Sequence, residues 1–223
     1  VYCLDDLSAG KERNIDFLRN KENFYFLECD VTDTNKIDKI VKNKDIIFHN
    51  AASKKNICLL DPKRDLDVNA GGTLNILKSA HKHGLKKFVH ASTGSVYGEP
   101  IFFPQDENHP IQPISYYGVS KLAGDRYVSM YNLLYGLNTS TLRYYHVYGT
   151  RQEYNEFGGV VSIFIRNLLN GERPTIFGDG KQIRSFTYVK DIVDANILVA
   201  TSKRSVGEEY NCASGISVSI QEL

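Results

Sequence analysis

Short apolar runs alternate along this chain with stretches in which apolar residues recur every three or four positions. Residues 1–5, 24–28, 45–50, 87–92 and 139–145 are the short runs, several almost continuously apolar, as Ile46-Ile47-Phe48 is. A strand buried on both faces needs that pattern, so these segments predict a parallel sheet covered by helices. Residues 33–42, 64–82, 116–135, 160–170 and 190–202 carry the helical spacing. Thr32 or Asp33 can cap one start, and Gly84 and Gly171 stand where helices should stop. Right-handed crossovers then give an α/β fold built on a doubly wound parallel sheet. After about residue 150 the rhythm changes to short strands and turns, and Gly178-Asp179-Gly180, between Thr175-Ile176-Phe177 and residues 183–189, predicts a hairpin. The chain divides accordingly into a sheet domain over 1–150 and a smaller α/β lobe over 151–223, interleaved with the sheet.

Composition narrows the partners. The 223 residues are 42% hydrophobic, enough for one well-buried core and a small appended lobe. Charged residues make up 24% but nearly cancel to +1, so no broad positive field exists to hold nucleic acid or anionic lipid. Small molecules and other protein surfaces are the partners expected. Cys3, Cys29, Cys58 and Cys212 are scattered without a Cys-x-x-Cys pair, as in proteins of a reducing cytoplasm. No signal peptide and no run approaching the ~20 apolar residues of a membrane span is present, so no membrane association is expected. The chain opens on Val1, already strand-like, and closes at residues 220–223 on what reads as a helix start, so both ends read as cut.

Tyr117-Gly118-Val119-Ser120-Lys121 sets a phenol and an ammonium four residues apart, hence on one helix face. A tyrosine must drop roughly three units from its ordinary pKa, about 4 kcal/mol, to act as a base near neutrality. A lysine cation and a positively charged nicotinamide ring favour the phenolate. The abundance of tyrosine and lysine makes about one such spacing by chance, so the motif gains weight only from its setting. That setting is a strand ending Phe88-Val89-His90-Ala91-Ser92-Thr93 and a loop containing Val96-Tyr97-Gly98-Glu99-Pro100. Here the sequence resembles the extended short-chain dehydrogenase/reductase superfamily, in its nucleotide-sugar epimerase/dehydratase branch. The resemblance extends over Asp30-Val31-Thr32-Asp33, His49-Asn50-Ala51-Ala52, Asp67-Val68-Asn69-Ala70-Gly71-Gly72-Thr73, residues 142–149 (Leu142 to Gly149) and residues 178–184 (Gly178 to Arg184).

The resemblance implies a Rossmann-like sheet, with the first strand and its glycine-rich pyrophosphate turn missing, and NAD as cofactor. That turn is expected upstream of Val1, and only a protein that began at Val1 would bind NAD badly. Tyr117 would be the acid/base, Lys121 would hold the nicotinamide ribose and lower the tyrosine pKa, and Thr93 would bond the reacting hydroxyl. Asp5 would meet the adenosine ribose and favour NAD over NADP. Asp30 and Val31 would line the adenine, and Ala51, Ala52 and Lys54 the cofactor, although Lys54 reads equally as a solvated lysine. Asn69 either touches the cofactor or bridges helix to strand. His146 is a substrate contact or a packing residue, and Arg184 pairs with a sugar-nucleotide diphosphate or is a surface arginine whose family acid is replaced by Ser185.

His81 and His83 do not share a helix face, so no metal is expected. Asp125 and Arg126 read as a solvated or subunit-facing surface. Family dehydratases follow the threonine with an Asp-Glu pair, whereas this chain has Gly94-Ser95. The implied reaction is therefore NAD-dependent inversion at C4 of a UDP-hexose by a cytoplasmic homodimer. The alternatives are a 4,6-dehydratase, a 4-keto-sugar reductase or a non-catalytic nucleotide-binding fragment.

Overall fold

The computed structural model describes residues 1–53, 55–155 and 158–223, without the side chains of residues 55 and 56. It opens with β1 (Tyr2–Asp5) and β2 (Tyr25–Glu28), paired in parallel. Helix α1 (Thr34–Val41) follows, capped by Asp33, whose carboxylate accepts from the Lys36 N–H. Next come β3 (Ile46–His49), the short helices α2 (Lys55–Leu60) and α3 (Pro62–Leu66), a π turn over Asp67–Gly72, and α4 (Thr73–Lys82). The centre is β4 (Lys87–Thr93), α5 (Tyr116–Tyr135) and β5 (Thr139–Tyr144). Beyond it lie β6 (Val147–Tyr148), α6 (Val160–Leu169), β7 (Ile183–Arg184), β8 (Thr187–Tyr188), α7 (Val189–Thr201), β9 (Glu209–Cys212) and β10 (Val218–Ser219).

Strands β3, β4, β5 and β9 pair in parallel, in that spatial order. Successive side chains of β4 point to opposite faces, and each face has its own core. Phe88 packs with Val41 of α1, Ile76 and Leu77 of α4 and Val128 of α5, whereas Val89 joins Leu142 of β5 and Val199 of α7 on the other side. Helices thus cover both faces, the doubly wound arrangement expected. Each such buried side chain stabilises the fold by about 1.5–3 kcal/mol. The β1–β2 pair makes no ladder with β3 among the described residues, yet Leu4 and Ile47 pack on the same core.

Helix α5 coincides with its expected span because its ends are written locally. Ser115 accepts from the Gly118 N–H at the start, and Gly136, at φ 66°, leaves the helix in the left-handed region. The helix expected over 64–82 is helical throughout, running from α3 through a π turn into α4. Asp61 caps and Pro62 starts α3 earlier, and the π turn follows because Gly72 is pressed on Val31: a Cβ there would lie 2.5 Å from Val31 Cγ2. The hairpin expected around Gly178-Asp179-Gly180 does not form. The turn is present, but residues 175–177 are not a strand, and β7 pairs antiparallel with β10 while β8 pairs parallel with β6.

Candidate active site

Strand β4 delivers Thr93 to its carboxyl end, and α5 begins beside it. Gly118 makes that approach feasible, since a Cβ at this position would lie 2.7 Å from the Ser95 carbonyl oxygen. The first turn of α5 therefore sits directly on the loop after β4, with the Tyr117 hydroxyl close to that of Thr93. Thr93 Oγ1 also accepts from the Ser95 N–H at 3.2 Å. Burial pushes the Tyr117 phenol up to about 12, with Asp65, Asp125 and Cys58 adding to the rise and the Thr93 hydroxyl opposing it. The sign is opposite to the acidification expected from Lys121, because that ammonium is turned inward and donates to the Ala91 carbonyl at 2.6 Å.

Lys121 is 2% exposed. Burial lowers its pKa to about 8, against the pull of Asp125 and Asp65. Asp125, expected on the surface, is instead 0% exposed. Its Oδ2 accepts from Ser92 Oγ at 2.8 Å and faces Arg143 Nε at 3.4 Å, and its Oδ1 lies 3.3 Å from His90 Nε2. The correction follows from tertiary pairing: a buried arginine on β5 needs an acid opposite, and Asp125 supplies one while Glu209 supplies another. Burial raises the Asp125 carboxyl, but His90, Ser92 and Arg143 outweigh it and hold the group below its usual value. His49 and His90 stack with centroids 5.4 Å apart, and burial first, then neighbouring cations, lowers both.

On the cofactor side, Asp5 ends β1, and its Oδ1 accepts from the Leu7 N–H at 2.8 Å. Gly10 closes over it, for a Cβ there would stand 2.9 Å from Oδ1. Asp30 is held by the Thr32 N–H at 2.8 Å and by Arg64 at 2.7 Å. Burial opposes its ionisation, yet these two partners prevail and keep it below the usual carboxylate value. Val31 sends its side chain into the core, and Ala51 packs against the same core while Ala52 is exposed. Lys54 lies outside the described residues. Asn69 is 0% exposed, and its amide accepts from the Ser53 N–H at 2.9 Å and donates to Asp65 Oδ1 at 3.0 Å and Ser120 Oγ at 2.9 Å. These bonds brace the segments that meet at Asn69.

On the substrate side, His146 follows β5 at φ 33°, strained for a residue with a side chain, and meets the Phe186 ring edge-on at 5.9 Å. Arg184 lies on β7, opposite Val218, with Nη1 bonded to the Ile183 carbonyl. The structure brings Thr93, Tyr117 and Lys121 to one end of β4, and leaves Asp5 and Asp30 at the ends of the β1–β2 pair. Sequence reasoning missed Asp65 and Arg143, 1% and 0% exposed. Asp61-Pro62 did signal the helix start that sets Asp65 inward.

A family model described as the NAD dependent epimerase/dehydratase family matches residues 1–213. A putative UDP-glucose 4-epimerase of Methanocaldococcus jannaschii is 40% identical over 226 residues, covering 100% of this chain and 72% of that protein. The UDP-glucose 4-epimerase of Thermotoga maritima, solved with UDP-glucose, is similar at a TM-score of 0.92 and 36% identity, over 100% of this chain and 71% of that one. A UDP-N-acetylglucosamine 4-epimerase from Methanobrevibacter ruminantium, in complex with UDP-N-acetylmuramic acid, gives 0.93 and 36%, over 99% and 71%.

Proposed function

This chain belongs to the NAD dependent epimerase/dehydratase family, and on that premise we propose that it inverts C4 of a UDP-hexose through a transient 4-keto sugar. The observation that carries the choice of reaction is the contact of Gly94 with Tyr145. A Cβ at position 94 would lie 2.6 Å from Tyr145 Cε1, and the Tyr145 hydroxyl is bonded to Gln105 Oε1 at 3.0 Å. The acid that an eliminating enzyme sets after the threonine has no room here. Elimination lacks its proton donor, and oxidation followed by reduction at the same carbon remains.

The residues present fit both ends of NAD. Asp5 has Oδ1 engaged by Leu7 and its second oxygen open to a ribose hydroxyl. Lys121 has a single hydrogen bond among the described residues and so has donors to offer a second ribose. NAD, when bound, supplies the hydride acceptor and then the donor. Tyr117 takes the proton of the C4 hydroxyl and later returns it, with Thr93 bonding the same oxygen and relaying the proton. A phenol raised to about 12 needs positive charge beside it to work as a base, and the nicotinamide ring of bound NAD would supply it, with Lys121 one helical turn on to hold the ribose. Arg184 and His146 receive the diphosphate, the arginine as a bidentate donor. Holding the sugar by its nucleotide leaves the 4-keto ring free to turn and present its other face.

Residues 1–150 form the cofactor domain and 151–223 mainly the nucleotide-sugar lobe. Helix α5 exposes Tyr116, Val119, Tyr127, Met130, Leu133 and Leu134, an apolar face that supports a homodimer. No helix among the described residues is long and apolar enough to cross a membrane, which agrees with a cytoplasmic enzyme. The test is conversion of UDP-galactose, with product stereochemistry read by NMR. Tyr117→Phe abolishes turnover while NAD binding stays, and an unchanged rate in that variant removes Tyr117 from the reaction.

A further inference from the structure

Asp65 takes no part in the chemistry above, yet it is 1% exposed, and a carboxylate is rarely buried without purpose. It stands in the last turn of α3, just before the π turn. Its Oδ1 accepts from Asn69 Nδ2 at 3.0 Å, and the same amide nitrogen donates to Ser120 Oγ at 2.9 Å. Ser120 Oγ in turn donates to the Tyr117 carbonyl at 3.1 Å, and Ser120 precedes Lys121 in the chain. Asp65 Oδ2 and Ser53 Oγ, both buried, make no hydrogen bond among the described residues, and burial raises the Asp65 carboxyl against the opposing pull of the Ser120 and Ser53 hydroxyls and of Lys121.

The charges facing Lys121 come from four elements. Helix α5 contributes Tyr117 and Asp125, β4 contributes His90, β3 contributes His49 and α3 contributes Asp65, while Cys58 of α2 stands near Tyr117. Burial lowers both histidines, and an imidazole, neutral or protonated, brings no negative charge to balance an ammonium. Asp125 has Oδ2 committed to Ser92 and Arg143 and Oδ1 facing His90. Asp65 Oδ2 and Asp125 Oδ1 are the carboxylate oxygens of this set without a hydrogen bond among the described residues, so both acids act on the ammonium.

We infer that Asp65 is a positioning residue for the reaction proposed above: its tie through Asn69 and Ser120 fixes the turn of α5 that carries Tyr117 and Lys121, and there its carboxylate stands with that of Asp125 as counter-charge to the ammonium. The inference rests on that functional reading, and its test separates the two. Asp65→Asn keeps the shape and an acceptor for Asn69 but removes the charge. In the whole protein converting UDP-galactose, the alkaline limb of kcat, where Lys121 loses its proton, moves down by about one pH unit, a tenfold change in proton activity. NAD affinity stays within about twofold, as expected of a group that does not touch the cofactor. Asp65→Glu restores the limb. The Lys121 ε-carbon resonance, followed by NMR, moves its titration by the same amount and needs no turnover. A wild type that does not convert UDP-sugars, with the NMR shift intact, overturns the functional reading alone. A limb and a resonance that stay in place in Asp65→Asn, or a rate lowered equally at every pH, overturn the role of Asp65. So does loss of folding in both Asp65→Asn and Asp65→Ser while Asp65→Glu folds, which makes the charge a structural one.

Discussion

The two ends of β4 each hold a buried lysine, and they are built differently. At the amino end Lys87, 3% exposed, donates to Asn138 Oδ1 at 2.8 Å, Ser140 Oγ at 2.7 Å and Ser205 Oγ at 3.0 Å. Three neutral acceptors use all three of its N–H bonds. At the carboxyl end Lys121, 2% exposed, has one acceptor among the described residues and two acids within electrostatic reach. Burial lowers both to about 8. A lowered lysine pKa therefore does not by itself mark a site. What separates the two is whether the donors are used up and whether the charge is balanced by acids.

That contrast can be broken in four ways, in descending order of effect. Lys121→Met lowers kcat by about 10²–10⁴-fold, the range of a lost acid–base or charge contribution, with the fold retained by circular dichroism. Equal activity in this variant would put the two lysines in one class. Lys87→Met leaves kcat unchanged and lowers stability by about 1–3 kcal/mol in urea unfolding, because its three acceptors lose their donor in a dry site.

The third is pH. A lysine at about 8 when folded and 10.5 when unfolded binds fewer protons in the native state between those values. Stability accordingly rises with pH across that window, by up to about 1.4 kcal/mol per unit for each lysine, and the gain is absent below pH 8. Tyr117 and Tyr144, raised to about 12 by burial first, act in the opposite direction above pH 10. Urea midpoints between pH 8 and 9, below the range in which Cys212, raised to about 11 by burial, opposes them, show a slope roughly halved in Lys87→Met, since one of two lysines then contributes. The smallest effect is Ser205→Ala, about 1 kcal/mol with no change in rate, from one lost acceptor of Lys87.

How much of this was legible in the sequence depended on how local the signal was. Helix α5 was legible to the residue because Ser115 and Gly136 end it by their own chemistry. The strands that feed the sheet were visible as apolar runs, but β9, with Glu209-Tyr210-Asn211-Cys212 half-buried throughout, has neither alternation nor an apolar run to announce it. The π turn was invisible because it answers to Val31, about forty residues away. In the candidate site, Thr93, Tyr117 and Lys121 were singled out by the motifs that carry the family resemblance, and they meet at one end of β4. Asp65 and Asp125 were not, since an acid inside Lys63-Arg64-Asp65-Leu66-Asp67 or before Arg126 reads as solvated until the partners that bury it are known.

The contact between Gly94 and the Tyr145 ring has an evolutionary consequence. A lineage carrying this loop reaches the acid pair of an eliminating enzyme only by changing positions 94 and 95 together, and a side chain at 94 further requires the ring at 145 to move. The two reactions are thus neighbours in fold yet several linked substitutions apart in sequence.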